Sequence, residues 1–335
     1  MPAITIHLTQ EQVQELFNNR DITIGVNICS FTNAANESFD SEKSFFDFFQ
    51  KEIENLKERG QKRTTETYKA AYKKFLCFTT NTQLPFRDVD SKLLEAFQAY
   101  LRKQNLSMNT ISFHMRILRA VYNKAIEQGL ADDLRPFRHV YTGIAKTSKR
   151  AISIEELRAL RQFTSDDKNL LFARDMFLFS FYTRGMSFVD MAYLKKSDII
   201  NDILTYKRHK TGQSLNIRWE KKMQDIVNQY ALPSSEYLLP FIHIRNGKER
   251  NQYRNCQSKI NHNLKIVAKQ VAIDQKLTMY CARHTWATIA QQMQIPIEVI
   301  SRGMGHTNPK TTEIYLKSID IKAIDQANHQ ILNSL

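Results

Sequence analysis

Apolar side chains fall into a helical rhythm at Ser44 and keep it for about ninety residues. Phe45, Phe46, Phe48, Phe49, Ile53 and Leu56 mark one helix, and Tyr68, Tyr72, Phe75 and Leu76 lie on one face of a second between Thr65 and Thr79. Asp90-Ser91 caps a third, carrying Leu93, Leu94, Phe97, Tyr100 and Leu101. Ser107 opens a fourth, in which Ile111, Met115, Leu118, Tyr122 and Ala125 recur at helical spacing before Gly129 ends it. Four such helices make a small bundle over residues 41–135. Ahead of them, residues 1–40 alternate briefly at Ile4, Ile6 and Leu8, turn helical from Thr9 to about Asn18, and become Asn/Ser/Thr-rich from Asn27. This reads as a loosely attached N-terminal extension.

A basic, turn-rich linker runs from Pro136 to Arg150, after which Ser153-Ile-Glu-Glu156 has the spacing of a capping box and opens a second helical domain, 151–335. A helix follows from Asp167 through Phe181. Ile203 to Ile217 then alternates as a β-hairpin with its turn at Thr211-Gly212, and helices dominate to the end. The fold class is mainly α with one small β-hairpin. At 335 residues and 42 % hydrophobic content, with 20 Phe and 13 Tyr, the chain can fill two cores.

Charge changes the picture from architecture to partner. The formal net charge is +14, yet residues 1–40 hold one basic side chain, Arg20, against five acids. Residues 41–150 carry 21 − 12 = +9 and residues 151–335 carry 26 − 17 = +9, so both domains suit a polyanion. On the bundle, Lys62, Arg63, Lys69, Lys73, Arg116 and Arg119 occupy polar helix faces. Thr65, Asn109 and Thr110 stand near helix starts, where hydroxyl and amide groups donate to phosphates or simply cap. Lys149 and Arg150 extend the basic set into the linker.

Four dispersed cysteines, Cys29, Cys77, Cys256 and Cys281, form no metal-binding spacing and read as reduced thiols of a cytoplasmic protein. No long apolar run or signal-like N-terminus points to a membrane.

The chemistry lies near the C-terminus, in Tyr280-Cys-Ala-Arg283-His284-Thr-Trp286 and Gly305-His306 through Tyr315. A guanidinium, two imidazoles and a phenol are the parts needed to attack a phosphodiester and hold the charge that develops. Arg283-His284-Thr285, Gly303-Met-Gly-His306, and Tyr315 nine residues after His306 resemble the boxes of the tyrosine recombinases of the phage-integrase family. The similarity spans residues 44–335 and implies a SAM-like core-binding bundle and a catalytic domain closing as a two-domain clamp on duplex DNA.

The resemblance implies that Tyr315 attacks phosphorus to form a 3′-phosphotyrosyl link and release a 5′-hydroxyl. Arg283 clamps nonbridging oxygens, His306 donates to one, and His284 accepts the tyrosine proton or orients the phosphate. Lys210, at the hairpin turn, is the acid for the leaving oxygen. No metal, nucleotide or other cofactor is needed. Implied partners are double-stranded recombination sites, sister protomers in a synaptic tetramer assembled from free monomers, and DNA-bending accessory proteins. Ile319, Ile321, Ile324, Ala327, Ile331 and Leu332 form an apolar C-terminal stripe suited to docking on a neighbour. The setting is a bacterial cytoplasm, at the nucleoid when bound. The reaction is integration, excision or inversion; a type IB topoisomerase-like enzyme and a non-catalytic DNA-binding regulator are the rival readings.

Two positions depart from the family pattern. In Arg184-Gly185-Met186-Ser187-Phe188-Val189-Asp190, Ser187 occupies the place of the first catalytic arginine. Arg184, three residues earlier, is the first choice to replace it, and Arg208, two residues before Lys210, the second. Tyr280 stands where the family has His or Lys. Integrase-like proteins of mobile elements that carry the same Arg-Gly-Met-Ser-Phe-Val-Asp segment share both substitutions, which implies an active variant.

Overall fold

Ser44 accepts a hydrogen bond from the Phe46 amide (3.2 Å) and opens α1 (Phe45–Glu58). The computed structural model describes residues 44–145, 150–306, 308, 311–313 and 332. It divides into two compact units, Met1–Lys146 and Thr147–Leu335. In the first, α1 is followed by α2 (Lys62–Thr79), α3 (Ser91–Lys103) and α4 (Met108–Glu127). The caps are those the sequence offers: Asp90 accepts from the Leu93 amide at 2.8 Å and Ser107 from the Thr110 amide at 3.3 Å. Each such cap is worth about 1 kcal/mol.

The first core is aromatic. Phe45 meets Phe75 and Phe86 edge to face with ring centroids 5.8 and 5.6 Å apart, and Phe75 meets Phe97 at 4.9 Å. Such pairs add roughly 0.5–1.5 kcal/mol each beyond area burial. Phe137 and Val140 join this core. Asn109 donates to the Ala145 carbonyl (3.0 Å) and accepts from its amide (2.9 Å), while Ser112 donates to the Gly143 carbonyl. The first two thirds of the expected linker, through residue 145, are therefore tied to the bundle.

The second unit begins with the capping box: Ser153 accepts from the Glu156 amide, Glu156 accepts from the Ser153 amide, and α5 (Ile154–Gln162) follows. The central helix is α6 (Lys168–Tyr182), apolar nearly all round, with Leu170, Ala173, Met176, Phe177, Leu178 and Phe179 buried. A tight turn leads to α7 (Phe188–Tyr193). Next comes an antiparallel sheet of β1 (Ile199–Ile200), β2 (Ile203–Lys207) and β3 (Ser214–Arg218), in the order β1-β2-β3. Along β2, Leu204 and Tyr206 face the core while Ile203, Thr205 and Lys207 face outward.

The sheet thus has one strand more than the expected hairpin. Asn201 and Asp202 make the extra turn, both with positive φ (49° and 57°), as a two-residue hairpin of matching twist requires. Helices α8 (Lys221–Tyr230), α9 (Glu249–Gln270), α10 (Met279–Gln292) and α11 (Ile297–Gly303) complete the unit, with α9 and α10 packed on α6. Among the described residues, no helix is long and apolar enough to cross a membrane.

Candidate active site

Arg283 sits one turn into α10 with only 6 % of its surface exposed. Burying a guanidinium is costly unless its donors are used. It donates to the Gly185 carbonyl at 2.8 Å and the Met304 carbonyl at 2.7 Å, and lies 2.9 Å from His306 Nε2. An arginine only donates, so Nε2 of His306 is the acceptor. The ring proton is then on Nδ1, which donates to Thr312 Oγ1 at 2.8 Å. Burial and the charges of Arg283, Arg208 and Lys210 push the His306 pKa down to about 4. The imidazole is neutral at neutral pH and faces a cationic pocket.

The turn from α6 to α7 lets Arg283 come this close. Gly185 has φ of 71°, and a Cβ there would stand 2.6 Å from Arg283 Cα, a backbone atom that cannot step aside. Ser187, at the place of the missing arginine, caps α7 and donates to Asp190 Oδ2 at 2.7 Å. The serine is spent on helix geometry.

Arg208 leaves β2 at the start of the hairpin turn and is 7 % exposed. Its Nη1 donates to the Gly305 carbonyl, and its Nε stands 3.9 Å from Asp190 Oδ2. Asp190 also accepts from the His209 amide at 2.8 Å, and the His209 ring stacks on Tyr193 with centroids 4.5 Å apart. Burial alone would raise the Asp190 pKa. Hydrogen bonds from His209 and Ser187, with the Arg208 charge, outweigh it and hold the carboxyl below its usual range. Gly305 has φ of 66°, and a Cβ there would come within 2.7 Å of Leu215 and 2.8 Å of Arg208 side-chain carbons.

Arg184 also comes to this region but is held elsewhere. With φ of 61° it donates to the Asn216 carbonyl on β3 at 3.2 Å. The buried phenol of Tyr206 registers the whole cluster. Burial and the Asp190 charge push its pKa up to about 12, against the pull of Arg208, Arg283 and Arg184. Lys210 is exposed at the hairpin turn, near enough for its charge to act on His306.

On the outer turn of α10, Tyr280 meets the His284 ring edge to face at 4.7 Å, and the Arg150 guanidinium lies 5.8 Å over the Tyr280 ring. Burial, then Arg150 and Arg283, push the His284 pKa down to about 4. Tyr315 lies outside the described residues, as do Lys149, residues 1–40 and the apolar stripe except Leu332. The described chain approaches Tyr315 through residues 311–313, where Thr312 is fully buried beneath His306.

In the first unit, Lys62, Arg63, Lys69, Lys73, Arg116 and Arg119 are exposed. The polar candidates have other duties. Thr65 is buried and donates to the Gln61 carbonyl, Thr110 pairs with Ser107, and Asn109 fastens Ala145. Asp190 and Thr312 are not among the candidate site residues read from the sequence: Asp190 only closes the Arg184–Asp190 segment, and nothing in the local sequence distinguishes Thr312 from neighbouring threonines. Among the described residues, no group of three or more His, Cys, Asp or Glu is placed to hold a metal ion.

Comparison with known proteins gives a consistent result. The sequence model described as the phage integrase SAM-like domain matches residues 44–139, and that of the phage integrase family matches residues 150–320. A tyrosine recombinase of Pseudothermotoga lettingae is 22 % identical over 275 residues, covering 79 % of this chain and 91 % of that protein. The tyrosine recombinase XerA of Thermococcus kodakarensis is 24 % identical over 236 residues, covering 69 % and 78 %. Among solved structures, the Tn1549 transposon integrase in complex with a circular intermediate DNA matches with TM-score 0.67 at 15 % identity, over 86 % of this chain and 99 % of that one. A lambda integrase tetramer bound to a Holliday junction matches with TM-score 0.63 at 14 % identity, over 84 % and 82 %.

Proposed function

The chain belongs to the phage integrase family and is a tyrosine recombinase, an enzyme of site-specific DNA recombination; from that premise we propose that it cuts and rejoins duplex DNA through Tyr315, with Arg208 in place of the family's first arginine. One observation carries the assignment. Arg283 from α10 and Arg208 from the hairpin donate to consecutive carbonyls, Met304 and Gly305, directly before His306. Two guanidiniums converge there beside an imidazole, the charge arrangement a pentacoordinate phosphorus needs. Arg184 is committed to Asn216 and ranks behind Arg208, the reverse of the order the sequence suggests.

In the proposed step the Tyr315 hydroxyl gives its proton to solvent water as its oxygen attacks phosphorus, forming a 3′-phosphotyrosyl bond while the bond from phosphorus to the 5′-oxygen breaks. The 5′-oxygen leaves with a proton from Lys210. Attack by a partner strand's 5′-hydroxyl reverses the chemistry and conserves the bond energy. His306 is held neutral with Nε2 accepting from Arg283. An incoming phosphate oxygen competes for that guanidinium, and a shift of the ring proton to Nε2 lets His306 donate to the phosphate. His284 is a weak base in this surround: moving a proton from a phenol of pKa about 10 to a group of pKa about 4 is uphill by roughly 8 kcal/mol. We therefore assign it to orienting the phosphate.

The exposed cations of the first unit, with Lys149, bind phosphates and make affinity steeply salt-dependent, with a log–log slope of about −0.9 per phosphate neutralised. Synapsis of four protomers on two recombination sites accounts for the apolar stripe after Tyr315. Incubating the full chain with a nicked, end-labelled site and resolving the products in SDS tests the reading. A covalent protein–DNA band that disappears in Tyr315→Phe is expected. No band on the true site would leave a DNA-binding regulator, and relaxation of supercoils without strand exchange a topoisomerase.

A further inference from the structure

We infer that Arg150, at the entry to the catalytic unit, is a further catalytic residue that binds the scissile phosphate through its guanidinium. The inference rests on the recombinase reading above and adds a residue to the same site.

Arg150 is fixed to the helix that carries the active site. The Ala151 carbonyl accepts from Gln275 at 2.8 Å, and the Ile152 amide donates to the fully buried hydroxyl of Thr285 on α10 at 3.1 Å. The two residues after Arg150 are therefore pinned, one to α10 and one to the segment just before it, and the arginine is delivered to the first turn of the helix. There it lies over the face of Tyr280, which is 44 % exposed, while Tyr280 abuts His284. A ring face attracts a guanidinium without neutralising it. The positive charge is held in place yet available to an anion.

The chemistry at this position needs such a charge. Tyr280 has no cationic form, and Arg283 has donors committed to Gly185, Met304 and His306. Arg150 adds a donor to the nonbridging oxygens from the solvent side, beside the Arg283–Arg208 pair. Arg150 also acts more strongly on the His284 ring than Arg283, the residue adjacent in sequence. Its charge therefore acts on the ring of His284, the neighbour of Arg283 in the chain.

The test uses the full chain, saturating protein, and nicked sites bearing either a normal phosphate or an uncharged methylphosphonate at the scissile position. Arg150→Ala is expected to slow covalent-complex formation about 10- to 100-fold on the phosphate, with affinity of the Tyr315→Phe form changed less than about threefold by the same substitution. On the methylphosphonate the deficit should shrink to less than about threefold, because the charge Arg150 serves has been removed. Arg150→Lys should recover part of the rate. Should Arg150→Ala lower the melting temperature, Arg150→Gln repeats the series with a side chain of similar reach. A rate within about twofold of the parent on the phosphate, or an equal deficit on both substrates, overturns the assignment. A parent protein that forms no covalent complex overturns the recombinase reading itself.

Discussion

Arg283 and Arg208 reach neighbouring carbonyls from opposite kinds of support. Arg283 stands within α10, and its position depends on backbone fit, with Gly185 so close that a Cβ would lie 2.6 Å from the Arg283 Cα. Arg208 stands just past the end of a strand, its guanidinium facing the Asp190 carboxylate, and a Cβ at the Gly305 it bonds would meet only the side chains of Leu215 and of Arg208 itself. Backbone fit leaves no adjustment, whereas side-chain support can shift by tenths of an ångström. The helical half of the site is a fixed reference, and the hairpin half, which also carries Lys210, is the adjustable part.

The sharpest way to break this contrast is to add one methyl group to each half. Gly185→Ala combines left-handed backbone strain with a clash against backbone and should cost about 2–5 kcal/mol, read as a large fall in melting temperature and loss of cleavage. Gly305→Ala meets only side-chain carbons and should cost about 1–3 kcal/mol, with cleavage reduced more than stability because Arg208 is displaced. Equal losses of stability would erase the distinction.

A smaller effect is expected at Asp190. Asp190→Asn keeps the shape but removes the charge that faces Arg208, and should destabilise by about 1–3 kcal/mol. Because the folded carboxyl has its pKa held low, its contribution is fully present at neutral pH. It is lost only as pH falls through that depressed value, so parent and variant should converge in strongly acid solution.

The mildest test is titration of the helical half. His306 has its pKa lowered from 6.5 to about 4, so between those values the unfolded chain binds a proton that the folded chain does not. Stability should rise from pH 4 to pH 6.5 and level off above. His306→Asn should flatten that rise in melting temperature, and an unchanged slope would place the ring's pKa near its ordinary value.

Much of the scaffold was legible because it depends on local rules. Ser44, Asp90, Ser107 and Ser153 start the helices they were expected to start, and the apolar residues of α4 are buried at the predicted spacing. The short strand β1 escaped the pattern because two residues are too few to alternate, although Asn201-Asp202 between isoleucines was a turn signal. The site was legible in parts. Arg283 and His306 stand in recognisable boxes, and the structure brings them together at 2.9 Å. No spacing reveals that Asp190 reaches Arg208 across eighteen residues, or that Arg184 is drawn to Asn216 instead. Thr65 and Asn109 matched the residue types that greet phosphates, and tertiary packing gave them carbonyls and amides within their own unit.

The replacement of the missing arginine is the central claim, and single-turnover cleavage of a nicked site by Arg208→Ala and Arg184→Ala tests it most directly. The expected result is a loss of about 10²- to 10³-fold for Arg208→Ala and less than about tenfold for Arg184→Ala, with both variants folded and bound to DNA. Near-parent cleavage by Arg208→Ala, together with an inactive Arg184→Ala, would contradict it.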